Sequence, residues 1–586
     1  MSDDILERYR RAEGPLPAVQ QAWPLYGAGF ENLGQGGRPV EMPLRPCGPD
    51  EILVRHDAVG LCFSDLKVIR AGQSHPRIYD DMRAKPVILG HELAVTVVAV
   101  GENRRPRFHV GERYVVQADV YYQGRNLAVG YALPGGLEQY SVMGREVLDG
   151  DEGCYLLPVD PALGYAEAAL AEPWACVEAA YSMEYRTRLR PGGVAWFVGA
   201  PGASDFLLTR GLDEHAHPRA IVLSDVPLCL AAGLRGQAGT LGVLVVEADG
   251  LTPERYAEAA ERAGVAAFDD ILLLGPHAAD SIAAASALVA GGGALILASA
   301  EPYPEPAPVD VGRLHYDRIL LGGTVGPDLA EGYRPFAREL APGGTLWLLG
   351  ASGPMGHMHL QRALQRPQRP ARIIASGRRA ARLALVAERY GALARRMGVE
   401  LICLSEEALG ASGVAARVRE CTGGRGVDYC VVLAPDAEVA ARAWDLVAPG
   451  GVLNLFAGLN RGTRVPLDLN PLRDGRQRRI VGSSGSRIED LAGVLEKACS
   501  RVLAPEQATV AVTGLEGARQ ALQGVAEGHY PGKVVVYPHA RGLPLTTLSE
   551  MAARMPAVAA RLGEGGVWTR EAEEELLREC LGMRDA

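Results

Sequence analysis

Two stretches of this chain repeat each other, block by block and in the same order. The run PGGVAWFVGA at 191–200 returns as PGGTLWLLGA at 342–351, and FDDILLLGP at 268–276 returns as VDYCVVLAP at 427–435. GGALIL at 292–297 is echoed by GGVLNL at 450–455, and PVD at 308–310 by PLD at 466–468. Chance likeness between Ala- and Gly-rich segments seldom keeps several blocks in one order, so the chain is read as carrying a duplication. Within each copy, short apolar runs alternate with Ala-rich helical stretches, the pattern of a doubly wound parallel sheet. The expected fold class is α/β, with two tandem sheets of this kind at 191–335 and 336–489.

Residues 1–190 follow another rhythm. EILVRHDAVG at 51–60 and ELAVTVVAVG at 92–101 are short β-branched runs ended by glycine, which predicts strands of an irregular, mostly β domain. The segment GHYPGKVVVYP at 528–538 predicts one more strand returning to it, so 490–540 completes that domain. Residues 541–586 form a helical tail, read as a pair of amphipathic helices in which Glu571 to Glu575 make a solvated acidic face.

Composition narrows the function. At 586 residues the chain exceeds one ordinary domain. It contains no run of about 18 uncharged apolar residues, so no membrane span is expected. The charged opening MSDDILERYRR lacks the apolar run of a secretory signal, which makes cytoplasm the expected location. The 10 cysteines are scattered without paired spacing and are expected to be reduced thiols. A net charge of −10 without a basic tract gives no reason to expect nucleic acid, leaving small molecules as partners.

The chemistry is carried by Cys62, His91, Glu92 and Glu172. A thiolate, an imidazole and carboxylates, spaced so widely that only a folded domain brings them together, make a catalytic zinc set with room for a substrate oxygen. Cys62 and His91 are the firm ligands, since zinc binds sulfur and nitrogen strongly and both sit beside glycines at strand edges. Glu92 and Glu172 compete for the remaining protein positions, with Cys176 a poorer candidate. Asp65 is expected to hold the second nitrogen of His91. Ser64, two residues from Cys62, is placed to pass a substrate proton outward. Each has a structural alternative: Cys62 and His91 as core residues, Ser64 and Asp65 as a helix N-cap pair.

Gly60-Leu61-Cys62-Phe63-Ser64-Asp65, Gly90-His91-Glu92, Gly111-Glu112-Arg113, Glu172-Pro173 and Gly532-Lys533-Val534-Val535 together resemble the zinc-dependent medium-chain dehydrogenases/reductases, in the order that family has them. The Glu-Pro context of Glu172, the loop with His75, Arg77 and Tyr79, and the stretch 126–136 are most similar to the sorbitol dehydrogenase and L-sorbose-1-phosphate reductase branch. The resemblance implies a GroES-like catalytic domain joined to a Rossmann-like coenzyme domain. It implies hydride transfer between a nicotinamide coenzyme and a secondary alcohol or ketone, with a polyol, sugar or sugar phosphate as substrate. In polyol-type members a carboxylate replaces a second cysteine ligand, and Glu172 matches it; Glu92 then ligates directly or exchanges with water. The four-cysteine lobe that holds a structural zinc in many members has no counterpart at 101–135, so one catalytic zinc is expected. Association as a homo-oligomer, dimer or tetramer, is expected as well.

The family has one coenzyme domain where this chain has two copies. Gly350, Ser352, Gly353, Pro354, Met355 and Gly356 lie between an apolar strand and a helical stretch, where glycines let backbone approach a pyrophosphate at a helix N-terminus. The first copy offers Gly199 and Gly202, but Ser204 replaces the last glycine and Asp205 sets a negative charge near the phosphate, so this turn is read as degenerate. The second strand of the second copy ends at Arg378 and Arg379, where two guanidiniums suit a 2′-phosphate and NADP(H). Asp225, at the same point of the first copy, suits NAD(H). Outside this reading stand a lyase or epimerase with tightly held NAD(P) oxidising its substrate transiently, and a non-catalytic nucleotide sensor. Retention of the whole ligand set favours the dehydrogenase.

Overall fold

The strand Ile52–Gly60 is buried along its whole length and is the spine of the mostly β part. The computed structural model describes residues 2–203, 206–336 and 338–581; Ser204 and Asp205 lie outside them. The chain divides into two units, Met1–Ala179 with Gly353–Arg366 and Gly485–Ala586, and Ala180–Ser352 with Pro367–Ser484.

In the first unit an eight-stranded sheet runs in the order Leu156–Pro158, Arg113–Val116, Glu92–Val100, Ile52–Gly60, Lys533–Tyr537, Thr509–Gly514, Thr546–Thr547, with Tyr140–Met143 also pairing Ile52–Gly60. Its alternating Val and Leu residues pack into one core with Trp23, Leu66 and Ile69. The spine also buries Arg55, His56 and Asp57, which find partners inside the core, although Arg55 Nη2 is left without one. Arg55 Nε donates to Asp57 Oδ1 at 2.7 Å, and Thr96 Oγ1 donates to Asp57 Oδ2 at 2.5 Å. His56 lies between Ser141 Oγ at 2.7 Å and the Glu138 carbonyl at 2.9 Å.

Glu138 is the costly member of this core. Burial pushes its carboxyl up to about 8, and the amide of Gln20, 3.1 Å from Oε2, offsets only part of that. A carboxyl raised in the folded state binds its proton more tightly there than in the unfolded chain. Its contribution is complete below the ordinary Glu range and is lost as pH rises toward 8. Glu138→Gln should therefore be more stable than wild type at pH 8–9, by on the order of a few kcal/mol, and no better at pH 4. Thermal melts across that range check the sign.

The second unit holds the duplication as two six-stranded parallel sheets. One runs Leu244–Glu247, Ala220–Ser224, Val194–Gly199, Phe268–Leu274, Val289–Ala298, Leu320–Thr324; the other runs Glu400–Ser405, Arg372–Gly377, Thr345–Leu349, Val427–Val432, Val447–Leu455, Arg479–Gly482. Both have the 3-2-1-4-5-6 order of a doubly wound fold. The echo reaches side chains: the indole of Trp196 donates to Ser224 Oγ at 2.9 Å and that of Trp347 to Ser376 Oγ at 2.8 Å. Asp269 Oδ2 accepts the Val194 amide, as Asp428 Oδ2 accepts the Thr345 amide.

The copies meet each other symmetrically. Ala307–Asp310 pairs antiparallel with Arg464–Leu467, and Pro308 lies opposite Pro466, its own counterpart in the repeat. A Cβ at Gly323 would come 3.2 Å from Arg473 Cβ, and one at Gly482, at the same place in the other sheet, would come 2.2 Å from the Leu314 carbonyl oxygen. Backbone meets backbone closely on both sides.

The copies differ at their first connection. Between Val194–Gly199 and Ala220–Ser224 the described residues contain no helix, whereas Thr345–Leu349 is followed by the helix Pro354–Gln365. The tail also departs from the sequence reading: it forms Met551–Arg554, Pro556–Ala559 and Arg570–Leu581. Glu573 is buried rather than part of a solvated face, because its carboxylate caps backbone amides elsewhere in the unit.

Candidate active site

Strand Ile52–Gly60 delivers the chain to Cys62, which is the N-cap of the helix Phe63–Ala71. Asp65 closes the capping box: its Oδ2 accepts the Cys62 amide at 2.9 Å. Its Oδ1 accepts the Gly90 amide at 3.1 Å, which ties the helix start to the segment carrying His91. Gly90 has φ +94 and a Cβ there would strike Val59 Cγ1 at 2.8 Å, so the close approach needs glycine. His91 Nδ1 stands 3.5 Å from Asp65 Oδ1, a charge contact looser than a formed hydrogen bond. One buried carboxylate thus caps the helix and faces the imidazole. Burial alone would lower the His91 imidazole, but Asp65 and Cys62 beside it hold it well above the usual range.

Ser64 Oγ lies 3.0 Å from Cys62 Sγ and 3.3 Å from His91 Nε2. Glu92 begins the neighbouring strand opposite Gly60. A Cβ at Gly60 would fall 2.2 Å from Glu92 Oε2, so the glycine makes room for that carboxylate. Ligand atoms of Cys62, His91 and Glu92 all lie within 4.8 Å of one another. Glu92 Oε2 is buried and has no hydrogen-bond partner. A sulfur, a nitrogen and a carboxylate oxygen at that spacing, with one buried oxygen unsatisfied, fit a zinc ion.

Glu172 is on the helix Ala171–Ser182 and does not join the group of three. Its Oε1 is 3.8 Å from Cys176 Sγ. Burial pushes its carboxyl up to about 7 against the opposing pull of His91. Sequence reasoning missed Lys533, whose ammonium pairs with Glu92 Oε1, both groups buried. The only signal was its place in the motif Gly532-Lys533-Val534-Val535. Tyr131 was also missed: its ring centroid is 6.2 Å from that of His91 and 5.2 Å from that of His75. Arg77 lies over the same ring at 5.4 Å and donates to Asp119 Oδ1 at 2.7 Å. Tyr79 is exposed and donates to the Asn126 carbonyl. Trp174 is wholly buried core.

Of the coenzyme candidates, Gly350 and Ser352 belong to the second unit and Gly353, Pro354, Met355 and Gly356 to the first. Gly350 has φ +97, and its amide and that of Ala351 both donate to the Ser376 carbonyl at 2.9 Å. Gly353 is the N-cap of Pro354–Gln365, with proline in the first turn and no side-chain cap. Arg378 and Arg379 are exposed beyond the strand Arg372–Gly377. Arg382 is pulled below its usual range first by burial and then by Arg379 and Arg378.

Residues 48–149 match the family model of the alcohol dehydrogenase GroES-like domain, and 354–500 match that of the zinc-binding dehydrogenases. An L-sorbose 1-phosphate reductase of Klebsiella pneumoniae is 30% identical over 291 residues, 47% of this chain and 70% of that protein. A mannitol-1-phosphate 5-dehydrogenase of Aliivibrio fischeri is 30% identical over 200 residues, 32% of this chain and 46% of that protein, so the chain spans less than half of this second relative. The crystal structure of an alcohol dehydrogenase from Thermotoga maritima shares the fold with a TM-score of 0.50 at 14% identity, covering 89% of this chain and 100% of that one. With this ligand group on a GroES-like domain, and doubly wound sheets in the same chain, the chain belongs to the zinc-dependent medium-chain dehydrogenases/reductases, oxidoreductases that act on alcohols with zinc and a nicotinamide coenzyme.

Proposed function

We propose that the chain interconverts a secondary alcohol and a ketone on a polyol, sugar or sugar phosphate, using one catalytic zinc and NADP(H). The observation that carries this reading is the Ser64 hydroxyl standing between the half-buried Cys62 thiol and the buried His91 imidazole of the Cys62, His91 and Glu92 group. Cys62 and His91 hold the ion, with Glu172 or Glu92 completing the protein ligands. When bound, zinc supplies Lewis-acid polarisation of the substrate oxygen. In oxidation Ser64 Oγ would take the proton of the substrate hydroxyl as it releases its own outward, and a bound nicotinamide would supply the hydride acceptor for the carbinol carbon; reduction would reverse both transfers. Lys533 pairs directly with Glu92 Oε1 and so fixes where that carboxylate stands. His75, Arg77 and Tyr131 set a polar, cationic wall near His91, which suits a hydroxylated or phosphorylated substrate. The relatives named for sugar and polyol phosphates support the same class.

The second copy, 336–489, is assigned the coenzyme. The turn Gly350 to Gly356 leads into a helix, and the zinc-binding dehydrogenase model covers this copy. Its exposed Arg378 and Arg379 crowd Arg382, and three neighbouring guanidiniums are relieved by an anion such as the 2′-phosphate of NADP(H). The first copy, 191–335, is assigned a structural role. The absence of cysteine from 101–135 supports one zinc without a structural second. The 10 cysteines are all unbridged, which fits a reducing compartment, the cytoplasm.

Ser64→Ala should lower turnover by about 10²-fold, the low end for a positioned proton-transfer group because Ser64 is only half-buried and water can stand in for it. Zinc content and coenzyme binding should not change. A turnover equal to wild type would make Ser64 a bystander. Substrate class is tested by screening polyols, sugar phosphates and aromatic alcohols with both coenzymes at the nicotinamide absorbance. Activity confined to aromatic alcohols, or to NADH, would overturn the corresponding part of the reading.

A further inference from the structure

The last helix, Arg570–Leu581, is tied to the segment that presents Glu172. Glu573, buried within it, accepts the Tyr165 amide at 2.5 Å through Oε2, and through Oε1 accepts the Ala166 amide at 2.6 Å and the Tyr537 hydroxyl at 2.8 Å. Three donors on one buried carboxylate make strong, charge-assisted contacts. One turn earlier, Arg570 grips Glu167 with two prongs, Nη2 to Oε1 at 2.8 Å and Nε to Oε2. Glu167 in turn accepts the Gly164 amide at 3.2 Å, and a Cβ at Gly164 would come 2.7 Å from Glu573 Oε2. The turn is shaped around a carboxylate that arrives from the far end of the chain.

What this clamp holds is small and close to the metal group. The helix Tyr165–Ala169 has five residues, too few to be stable unaided. Leu170 closes it, and Ala171–Ser182 follows at once, so Glu172 is the second residue of a helix whose start depends on that short turn. The other end of the same helix is fixed as well: Glu178 accepts Arg362 Nε at 2.9 Å and Lys497 Nζ at 2.7 Å. Glu172, the second residue of that helix, stands at the end that the clamp holds.

We infer that the C-terminal helix is a positioning element for the metal centre: Glu573 and Arg570, acting through Tyr165–Ala169, set where Glu172 presents its carboxylate to the ion held by Cys62 and His91. The inference rests on Glu172 being a ligand. Groups that orient a ligand without touching the metal commonly change its affinity by 10–100-fold when lost.

The test uses the full chain and compares wild type, Glu573→Gln, Glu172→Ala and the double variant, at a temperature where circular dichroism shows all four folded. Zinc affinity is read by competition with a chromophoric chelator, and turnover in parallel. Glu573→Gln should weaken zinc about 10-fold, Glu172→Ala should weaken it more, and the double variant should be no worse than Glu172→Ala, because contacts that act through one residue are not additive. Unchanged affinity in Glu573→Gln, or losses that multiply in the double variant, would overturn the inference while leaving Glu172 a ligand. Wild-type affinity in Glu172→Ala would instead remove the ligand reading, and the inference with it. Should Glu573→Gln not fold, Arg570→Gln carries the same comparison with the same outcomes.

Discussion

Cys62→Ser is expected to leave the protein folded, without zinc, and slower by at least about 10⁴-fold, the several kcal/mol that a Lewis acid contributes. The fold should survive because serine is itself a favoured N-cap, and the bond from the residue 62 amide to Asp65 does not involve the side chain that changes. The metal should be lost because a serine hydroxyl stays protonated where a thiol yields a thiolate, and zinc binds sulfur strongly. Elemental analysis should give one zinc per wild-type chain and none in the variant, with unchanged circular dichroism. Full zinc occupancy in the variant would remove Cys62 from the ligands, and two zincs in wild type would contradict the reading of 101–135.

Gly353→Asp should weaken coenzyme binding by about 10³-fold or more without harming the helix it begins. Aspartate is a better N-cap than glycine, and Pro354–Gln365 has no side-chain cap, so the substitution favours the helix. If the turn Gly350 to Gly356 holds the coenzyme as proposed, the same carboxylate would face its pyrophosphate. Two like charges about 4 Å apart at a protein surface repel by about 4 kcal/mol, which is about three decades in affinity. Gly202→Asp in the first copy is the control: at φ +78 it adds some strain, but its Cβ has open space around it, and on the proposed assignment it opposes no coenzyme. Fluorescence titration of NADPH against both variants decides the matter, and loss only in Gly202→Asp would move the coenzyme to the first copy.

The parts of the site that were legible in the sequence are those where one short motif holds a whole local geometry. Cys62, Ser64 and Asp65 sit on a single helix start, and Gly90, His91 and Glu92 on a single strand entry, so glycines and spacing already imply the arrangement. Lys533 was opaque because it reaches Glu92 across 441 residues of sequence, through a strand that pairs beside Ile52–Gly60. Glu573 was misread for a related reason. Its neighbours Glu571 to Glu575 look like a solvated face, and only the tertiary placement of the amides of Tyr165 and Ala166 makes its burial favourable. In the duplication, repeated strands announced themselves through matched apolar blocks. The lack of a helix among the described residues between Val194–Gly199 and Ala220–Ser224 did not, since the run 200–219 has no pattern that states what is absent.

The symmetric meeting of the two copies has a consequence for how this chain can change. When two separate identical subunits join through such a surface, every substitution appears on both sides at once, and the contact comes apart on dilution. Here the two halves are joined in one chain, so their local concentration is fixed by the connection and not by the amount of protein. Each half can also vary alone: Ala307 faces Leu467 while Val309 faces Val465. One copy is free to differ at its first connection, where its described residues contain no helix, and still serve as the other's permanent neighbour.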